Sequence, residues 1–205
     1  MAKPNIKDFD RVLCVEGYSD LHFYAEFLED IGKQGVFIEQ FNGKADLIAQ
    51  LDVLITPQLL AEKKRIGVIM DADDNPAGTF IGFQSALARL TGQSVPAAGM
   101  WTHGTPRIGL FVAPDAGSKG EIETLVWRAW SADGANAAAK QCIETFTDCM
   151  QAAGQFAKSP DKGLLAALLA IRNDEDPRLG PGARANVFDF TRTEFAALSE
   201  FLSGF

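Results

Sequence analysis

The sequence contains few of the residues that build disulfide frameworks or zinc sites. Its 205 residues include three cysteines and two histidines. Cys14 lies in an apolar stretch, whereas Cys142 and Cys149 are seven residues apart and would share one face of a helix. The histidines, His22 and His103, are not neighbours in the sequence. We therefore expect three reduced, structural cysteines and no zinc site.

Long apolar runs and an excess of positive charge are also missing. No apolar stretch reaches the roughly 20 residues of a membrane-spanning helix, and the polar leader at residues 1–8 lacks the apolar segment of a signal peptide. We expect a cytoplasmic protein without a membrane partner. The 19 basic and 27 acidic residues give a formal net charge of −8. This balance argues against binding of nucleic acid on a broad basic surface, because lysine and arginine supply most of the non-specific affinity for phosphate.

The overall composition is that of a globular protein, with 47% hydrophobic and 22% charged residues. A chain of this length suits one well-buried domain. We predict a single domain over residues 1–205, with a core at about residues 9–131. Residues 132–205 are predicted to form a helical C-terminal extension that packs on this core.

Apolar runs rich in β-branched residues alternate with segments of helical periodicity. Each segment between two strands is long enough to hold a helix, which implies parallel strands. We predict a four-stranded, mostly parallel α/β sheet flanked by helices, with extra helices after it. The strands are predicted at residues 11–15, 36–41, 65–71 and 107–112, the later helices at 135–153, 161–171 and 193–202, and irregular segments at 96–106 and 173–182.

Acidic residues follow two of these strands. Glu16 ends the first strand, Gly17 permits a tight turn, and Asp20 suits the positive end of the next helix. Asp71 ends the third strand, and in a chain that stays extended beyond it Asp71 and Asp73 would point the same way, while Asp74 would point opposite. The alternative interpretation of these three aspartates is a polar loop that caps the following helix.

The predicted topology brings two of these acids together. If the third strand lies beside the first, on the side away from the second, a topological switch point separates them, and open α/β sheets bind ligands there. Glu16, Asp71 and Asp73 would then line one crevice. Carboxylate oxygens favour Mg²⁺, Mn²⁺ or Ca²⁺ over zinc. The sequence therefore predicts a divalent-metal site at this sheet edge.

Four further charged residues are candidates, Glu123 as a possible ligand of a second metal site and Glu121, Lys119 and Lys162 for supporting roles. Glu121 and Glu123 lie in the first turn of a predicted helix, where acids are also favoured by the helix dipole alone. Lys119 is close to two glycines and could bind phosphate or remain a solvated loop residue. Lys162 could likewise support the site or belong to an exposed, charged helix face.

Taken together, these motifs resemble the TOPRIM domain of bacterial primases, topoisomerases, recombination proteins and OLD-family nucleases. The similarity is carried by Val15-Glu16-Gly17-x-x-Asp20, by Met70-Asp71-Ala72-Asp73, and by Gly120-Glu121-Ile122-Glu123, which is similar to the Gly-x-x-Glu element of OLD-like nucleases. Segments near Lys162 and at the end of the chain are similar to a small uncharacterised TOPRIM-like bacterial family. The resemblance implies that Glu16 acts as an acid/base, that Asp71 and Asp73 bind Mg²⁺, and that Glu123 is the corresponding third acid.

These observations lead to three functional hypotheses. The first is a Mg²⁺- or Mn²⁺-dependent enzyme that cleaves or transfers at a phosphodiester, with nucleic acid as the substrate class. The second is a metal-dependent enzyme acting on a small nucleotide or phosphate ligand, which needs no basic surface. The third is a non-catalytic binding or regulatory module that works with a protein partner. The pattern does not determine the oligomeric state.

Overall fold

A computed structural model of the chain describes residues 5–155 and 159–205; residues 1–4 of the predicted polar leader lie outside this description. The strands are β1 (Arg11–Val15), β2 (Phe37–Gln40), β3 (Arg65–Asp71), β4 (Met100–Trp101) and β5 (Arg107–Ala113). The α-helices are α1 (Tyr18–Asp30), α2 (Lys44–Leu54), α3 (Pro57–Glu62), α4 (Pro76–Thr91), α5 (Ile122–Ser131), α6 (Ala137–Ala152), α7 (Pro160–Arg172), α8 (Leu179–Arg184) and α9 (Ala196–Ser203). Short 3-10 turns lie at Ile6–Asp8, Gly134–Asn136 and Thr193–Phe195.

The strands form one mostly parallel sheet in the order β2-β1-β3-β5-β4. Strand β1 pairs in parallel with β2 on one side and with β3 on the other. The predicted mostly parallel α/β architecture is thus confirmed, and the third strand lies where the switch-point argument requires it. The switch point lies between β1 and β3, because the chain leaves β1 in one direction to form β2 and returns to its other side to form β3.

The alternation of side chains along the strands gives each face of the sheet its own apolar core. One face presents Leu13, Ile69 and Phe111 to a cluster that includes residues of α1, α5 and the C-terminal helices. The other face presents Val12, Val68 and other strand residues to α2, α3 and α4. Since both faces are covered, the strands are continuous apolar runs, as expected for a parallel sheet.

The predicted count of four strands is wrong, because β4 forms a fifth strand within a segment predicted to be irregular. It pairs antiparallel with β5 at the sheet edge, with Trp101 opposite Gly109. The indole stacks on Phe201 with 5.0 Å between ring centroids, and its Nε1 donates to the Phe201 carbonyl at 3.0 Å. A side chain at Gly109 would meet the Trp101 ring at 2.7 Å. Packing against a distant helix therefore forms this short strand.

A second correction concerns α8, which lies in a segment predicted to be a loop. Its glycines and proline disfavour a helix locally, but the helix packs closely against α1. A Cβ atom added to Gly180 would lie 2.3 Å from the His22 Cβ atom, so only glycine allows this approach. The predicted C-terminal helices correspond to α6, α7 and α9, whose bounds differ by a few residues at most.

The sequence predicts reduced cysteines and no membrane-spanning helix. Cys14 is buried, Cys142 and Cys149 are exposed, and all three are free thiols. In the ranges 5–155 and 159–205, no helix has the length and apolar character needed to cross a membrane.

Candidate metal centre

The carboxyl ends of β1 and β3 bring Glu16 and Asp71 together, as the predicted topology requires. The Asp71 backbone amide donates a hydrogen bond to Glu16 Oε1 at 2.8 Å. Glu16 follows the last residue of β1, and Asp71 is the last residue of β3. The adjacency of these parallel strands therefore places two acids, 55 residues apart in sequence, at one edge of the sheet.

The Asp71 side chain connects this edge to the start of α5. Its Oδ1 accepts a hydrogen bond from the backbone amide of Ile122 at 2.9 Å. Ile122 is the first residue of α5, so the carboxylate lies at the positive end of that helix. Asp71 thus caps a helix, although a different one from the following helix that the sequence suggests.

Three carboxylates converge at this point. Oxygen atoms of Asp71, Glu121 and Glu123 all lie within 4.8 Å of one another, in an arrangement that could hold a metal ion. Glu121 precedes α5, and its backbone amide donates to the Thr124 hydroxyl at 3.2 Å. Gly120 has φ +122, and a Cβ there would lie 2.4 Å from Thr124 Oγ1, so glycine is required for this turn.

Lys162 of α7 is the cation nearest to these carboxylates in the described part of the chain. Its ammonium group forms an ion pair with Glu121 and lies 3.8 Å from Glu123 Oε1. The lysine side chain is 51% exposed, while the side chains of Glu121 and Glu123 are 10% and 14% exposed. One partly exposed ammonium thus faces three partly or fully buried carboxylates.

Burial shifts the protonation equilibria of the cluster. It raises the pKa of Asp71 well above its usual range, and the charges of Glu16 and Asp20 add to the effect. Burial also raises the pKa of Glu123 to about 7, although Lys162 opposes this. The pKa of Glu16 is raised by burial despite the hydrogen bond from Asp71. The uncompensated negative charge is relieved by protons or by a cation.

One oxygen of Glu123 lacks a hydrogen-bond partner in the described part of the chain. Its Oε2 is buried and unpaired among the residues that the structure describes. A buried carboxylate oxygen without a donor is costly in free energy. A cation or an ordered water in the cluster would satisfy this atom.

Asp73 and Asp74 do not follow the predicted alternation, because the chain turns after β3 instead of staying extended. Asp73 has φ 52, in the left-handed region, and its backbone exchanges two hydrogen bonds of 2.8 Å with Gly120. Its side chain is 61% exposed and pairs with Lys44, a residue that sequence reasoning did not select. Asp74, 99% exposed, lies 3.7 Å from Lys119. Asp73 is therefore close to the cluster but is not one of its three converging acids.

A cavity of about 560 Å³ lies beside the acidic residues. Its lining includes Asp73, Lys119, Glu121 and Lys162. Both lysines that the sequence indicated as supporting residues therefore face the same open space. The cavity is large enough for a phosphate group with attached substrate.

Helix α1 contributes a further layer beneath the cluster. Asp20 accepts a hydrogen bond from the Gly17 backbone, yet burial raises its pKa. Tyr24, one turn later, is buried, and desolvation together with the charges of Asp20 and Asp71 raises its pKa well above the usual range. Sequence reasoning did not select Tyr24; its spacing of four residues from Asp20 was the available signal.

Glu121 is the main change to the predicted set of ligands. The sequence treats it as a supporting residue, whereas the structure brings it into the three-carboxylate cluster. The signal was the spacing of Glu121 and Glu123, which places two acids together where the chain enters α5. The local pattern favours Asp73 only if the chain stays extended beyond Asp71.

The fold and this site define an α/β protein with a sheet-edge carboxylate cluster that could hold a metal ion. A family model described as "protein of unknown function (DUF3226)" matches residues 10–205, and the chain belongs to this family. Comparisons with curated proteins and with solved structures gave no match.

Proposed function

We propose that this protein is a Mg²⁺- or Mn²⁺-dependent enzyme that cleaves or transfers at a phosphodiester of nucleic acid, on a TOPRIM-like sheet. The observation that carries the proposal is the convergence of Asp71, Glu121 and Glu123 within 4.8 Å at the switch point. Glu16 adjoins them through its hydrogen bond to the Asp71 amide.

The donor set fits a hard divalent cation. All three converging side chains offer carboxylate oxygens. Among the described residues Glu123 Oε2 has no hydrogen-bond partner, and this oxygen could bind the cation directly. Oxygen-only ligands suit Mg²⁺ or Mn²⁺, whereas zinc prefers nitrogen and sulfur. Asp71, Glu121 and Glu123 would hold the ion, which would supply charge stabilisation at the reacting phosphoryl group.

Glu16 is suited to proton transfer. Its position is set by the Asp71 amide, and burial raises its pKa toward the range of an acid/base residue. In hydrolysis, a water oxygen forms a bond to phosphorus and gives a proton to Glu16. The bond from phosphorus to the leaving oxygen breaks. Glu16 then gives its proton to that oxygen and returns to its carboxylate form.

The two lysines lining the cavity provide the positive charge that the chain as a whole lacks. Lys119 and Lys162 line the space next to Glu121, where a substrate phosphate would lie. A few such contacts, together with the bound cation, would hold the substrate phosphate without a broad basic surface. The proposal is therefore compatible with the net charge of −8.

One observation favours a second candidate, an enzyme acting on a small nucleotide. The same cavity, about 560 Å³, is of the size that binds small molecules. A small ligand needs only the lysines and the cation. Both candidates use the same carboxylates and differ in the extent of the substrate.

The test is cleavage of labelled single- and double-stranded DNA and RNA, and of free nucleotides, with Mg²⁺ or Mn²⁺. We expect metal-dependent turnover that Asp71→Asn abolishes and Glu16→Gln reduces at least about 100-fold. Asp74→Asn is the matched control, because its side chain is 99% exposed. Turnover unchanged in both Glu16→Gln and Asp71→Asn would exclude the proposal. Metal binding without turnover on any substrate would favour the non-catalytic binding module.

A further inference from the structure

An exposed aromatic residue lies at the same sheet edge as the metal centre. Tyr18 is the first residue of α1 and follows Glu16 by two positions. Its side chain is 56% exposed. The proposed chemistry assigns it no role.

Two neighbours order the Tyr18 ring. The His22 ring lies edge-on to it, with 4.6 Å between centroids and 81° between planes. The guanidinium carbon of Arg178 lies 6.0 Å from the Tyr18 ring centroid, within the range of a cation–π contact. His22 lies on α1 and Arg178 directly precedes α8, and these two helices pack closely where Gly180 approaches His22.

Arg178 is itself fixed in place. Its Nε and Nη2 donate to the two carboxylate oxygens of Asp176 at 2.7 and 2.6 Å. A guanidinium has five N–H donors, so this pair leaves others directed elsewhere. The planar cation and the aromatic ring together form a small platform, defined here as Tyr18, His22 and Arg178.

We propose that this platform binds an unpaired nucleobase of the substrate. The inference rests on the proposed function, because it takes the substrate to be a nucleotide or a nucleic acid. Aromatic rings and arginine planes stack on the faces of unpaired bases, and duplex bases do not offer those faces. The remaining Arg178 donors can bind the base edge or the adjoining phosphate.

The dimensions of the platform favour a base over a protein partner. One ring and one guanidinium cover about the area of a base, whereas a protein interface needs a contiguous patch of several hundred square ångströms. The base can belong to a single strand or to a free nucleotide. The chemistry of recognition is the same in both.

Binding is tested with a fluorescent single-stranded oligonucleotide and Mn²⁺, in the Glu16→Gln background, in which we expect cleavage to be at least about 100-fold slower. A matched probe carries abasic sites in place of the bases. We expect Tyr18→Ala to weaken binding of the base-carrying probe about 5- to 150-fold, the range found for one stacked base, and to leave the abasic probe unchanged. Tyr18→Trp should restore binding. Equal affinities in Tyr18→Ala and its parent, or equal losses for both probes, would overturn the proposal.

Phe146→Ala is the control for exposure, since Phe146 on α6 is also 56% exposed. Calorimetry with a nucleoside monophosphate shows whether the bound base belongs to a free nucleotide or to a strand. A Tyr18-dependent signal with the mononucleotide assigns a free nucleotide, and a signal with the oligonucleotide alone assigns a strand. Absence of any Tyr18-dependent binding in both arms contradicts the subsite.

Turnover separates failure of the subsite from failure of the proposed function. If the wild-type protein cleaves single strands, Tyr18→Ala should raise KM for the base-carrying strand more than for the abasic strand. Wild-type cleavage with unaltered KM in the variant refutes the subsite alone. Tyr18-dependent binding without turnover in the wild type refutes the enzymatic proposal and retains the subsite.

Discussion

The Glu16 carboxylate accepts a hydrogen bond from the backbone amide of Asp71, with 2.8 Å between Oε1 and the amide nitrogen. This contact joins the ends of two neighbouring parallel strands at the switch point. It holds Glu16 next to Asp71, one of the three converging carboxylates. The position of the Glu16 carboxylate, the proposed acid/base, therefore depends on the pairing of β1 with β3.

Replacing Glu16 separates its structural and chemical roles. Glu16→Ala removes the acceptor of the Asp71 amide, and we expect a loss of ~1–3 kcal/mol in the free energy of unfolding. Glu16→Gln keeps an acceptor oxygen and should be close to the wild type in stability. Urea denaturation measures both. A Glu16→Ala protein as stable as Glu16→Gln would show that the hydrogen bond contributes nothing.

Metal binding should depend on the converging carboxylates rather than on the neighbouring exposed acids. By calorimetry with Mn²⁺, we expect Asp71→Asn and Glu123→Gln each to weaken binding at least about tenfold, or ~1.4 kcal/mol. Asp73→Asn should have a smaller effect, because that side chain is 61% exposed and pairs with Lys44. Asp74→Asn should have none. A larger loss for Asp73→Asn than for Asp71→Asn would favour the ligand set that the sequence pattern predicts.

The stability of the metal-free protein should fall as pH rises from about 4.5 to about 7, in part because of Glu123. Its pKa is about 7 in the folded protein, against 4.5 as the ordinary value. Between these values the folded state binds more protons than the unfolded state, so raising the pH favours unfolding. Ionisation of Glu123 in the folded protein lowers the free energy of unfolding by ~1–3 kcal/mol, and this loss is fully present above pH 7.

Glu123→Gln isolates this contribution, because glutamine does not titrate. Thermal or urea unfolding of both proteins across this pH range should show a smaller decline for the variant. Parallel curves would contradict the assignment. Mn²⁺ should offset the decline in the wild type, because it stabilises the ionised carboxylates.

Lys162 should act as the counter-ion of the metal-free cluster. Lys162→Gln leaves the carboxylates of Glu121 and Glu123 without their cation, and we expect a loss of ~1 kcal/mol at pH 8, since the lysine is half exposed. The Mn²⁺-induced rise in Tm should be larger than in the wild type, because no ammonium competes for the carboxylates. Lys140→Gln, which removes an exposed pair with Glu144, is the control. An unchanged Mn²⁺ response in Lys162→Gln would argue against competition.

The edge strand depends on the close contact of Trp101 with Gly109. Gly109→Ala would place a methyl group 2.7 Å from the indole ring, and we expect a loss of ~1–3 kcal/mol. Gly82→Ala is the matched substitution in α4, where a Cβ meets nothing within 4 Å. It should stabilise the protein by up to ~1 kcal/mol through helix propensity. Chemical denaturation compares the two, and equal effects would exclude a steric origin.

Much of the sheet could be predicted because its signals are local. Strand β1 has the predicted bounds, β3 ends at Asp71 as predicted, and the order of strands and helices implied parallel pairing. Apolar runs and helical periodicity report burial directly. From that order, the meeting of Glu16 and Asp71 followed as a consequence of topology.

The sequence by itself therefore determined four of the strands, most of the helices, and the two acids at the ends of β1 and β3. Tertiary structure alone decided the direction of Asp73, the inclusion of Glu121, and the formation of β4 and α8. The reason is that each depends on distant partners. Asp73 turns because its backbone pairs with Gly120, and β4 forms because Trp101 packs on Phe201. No periodicity within a segment records such contacts.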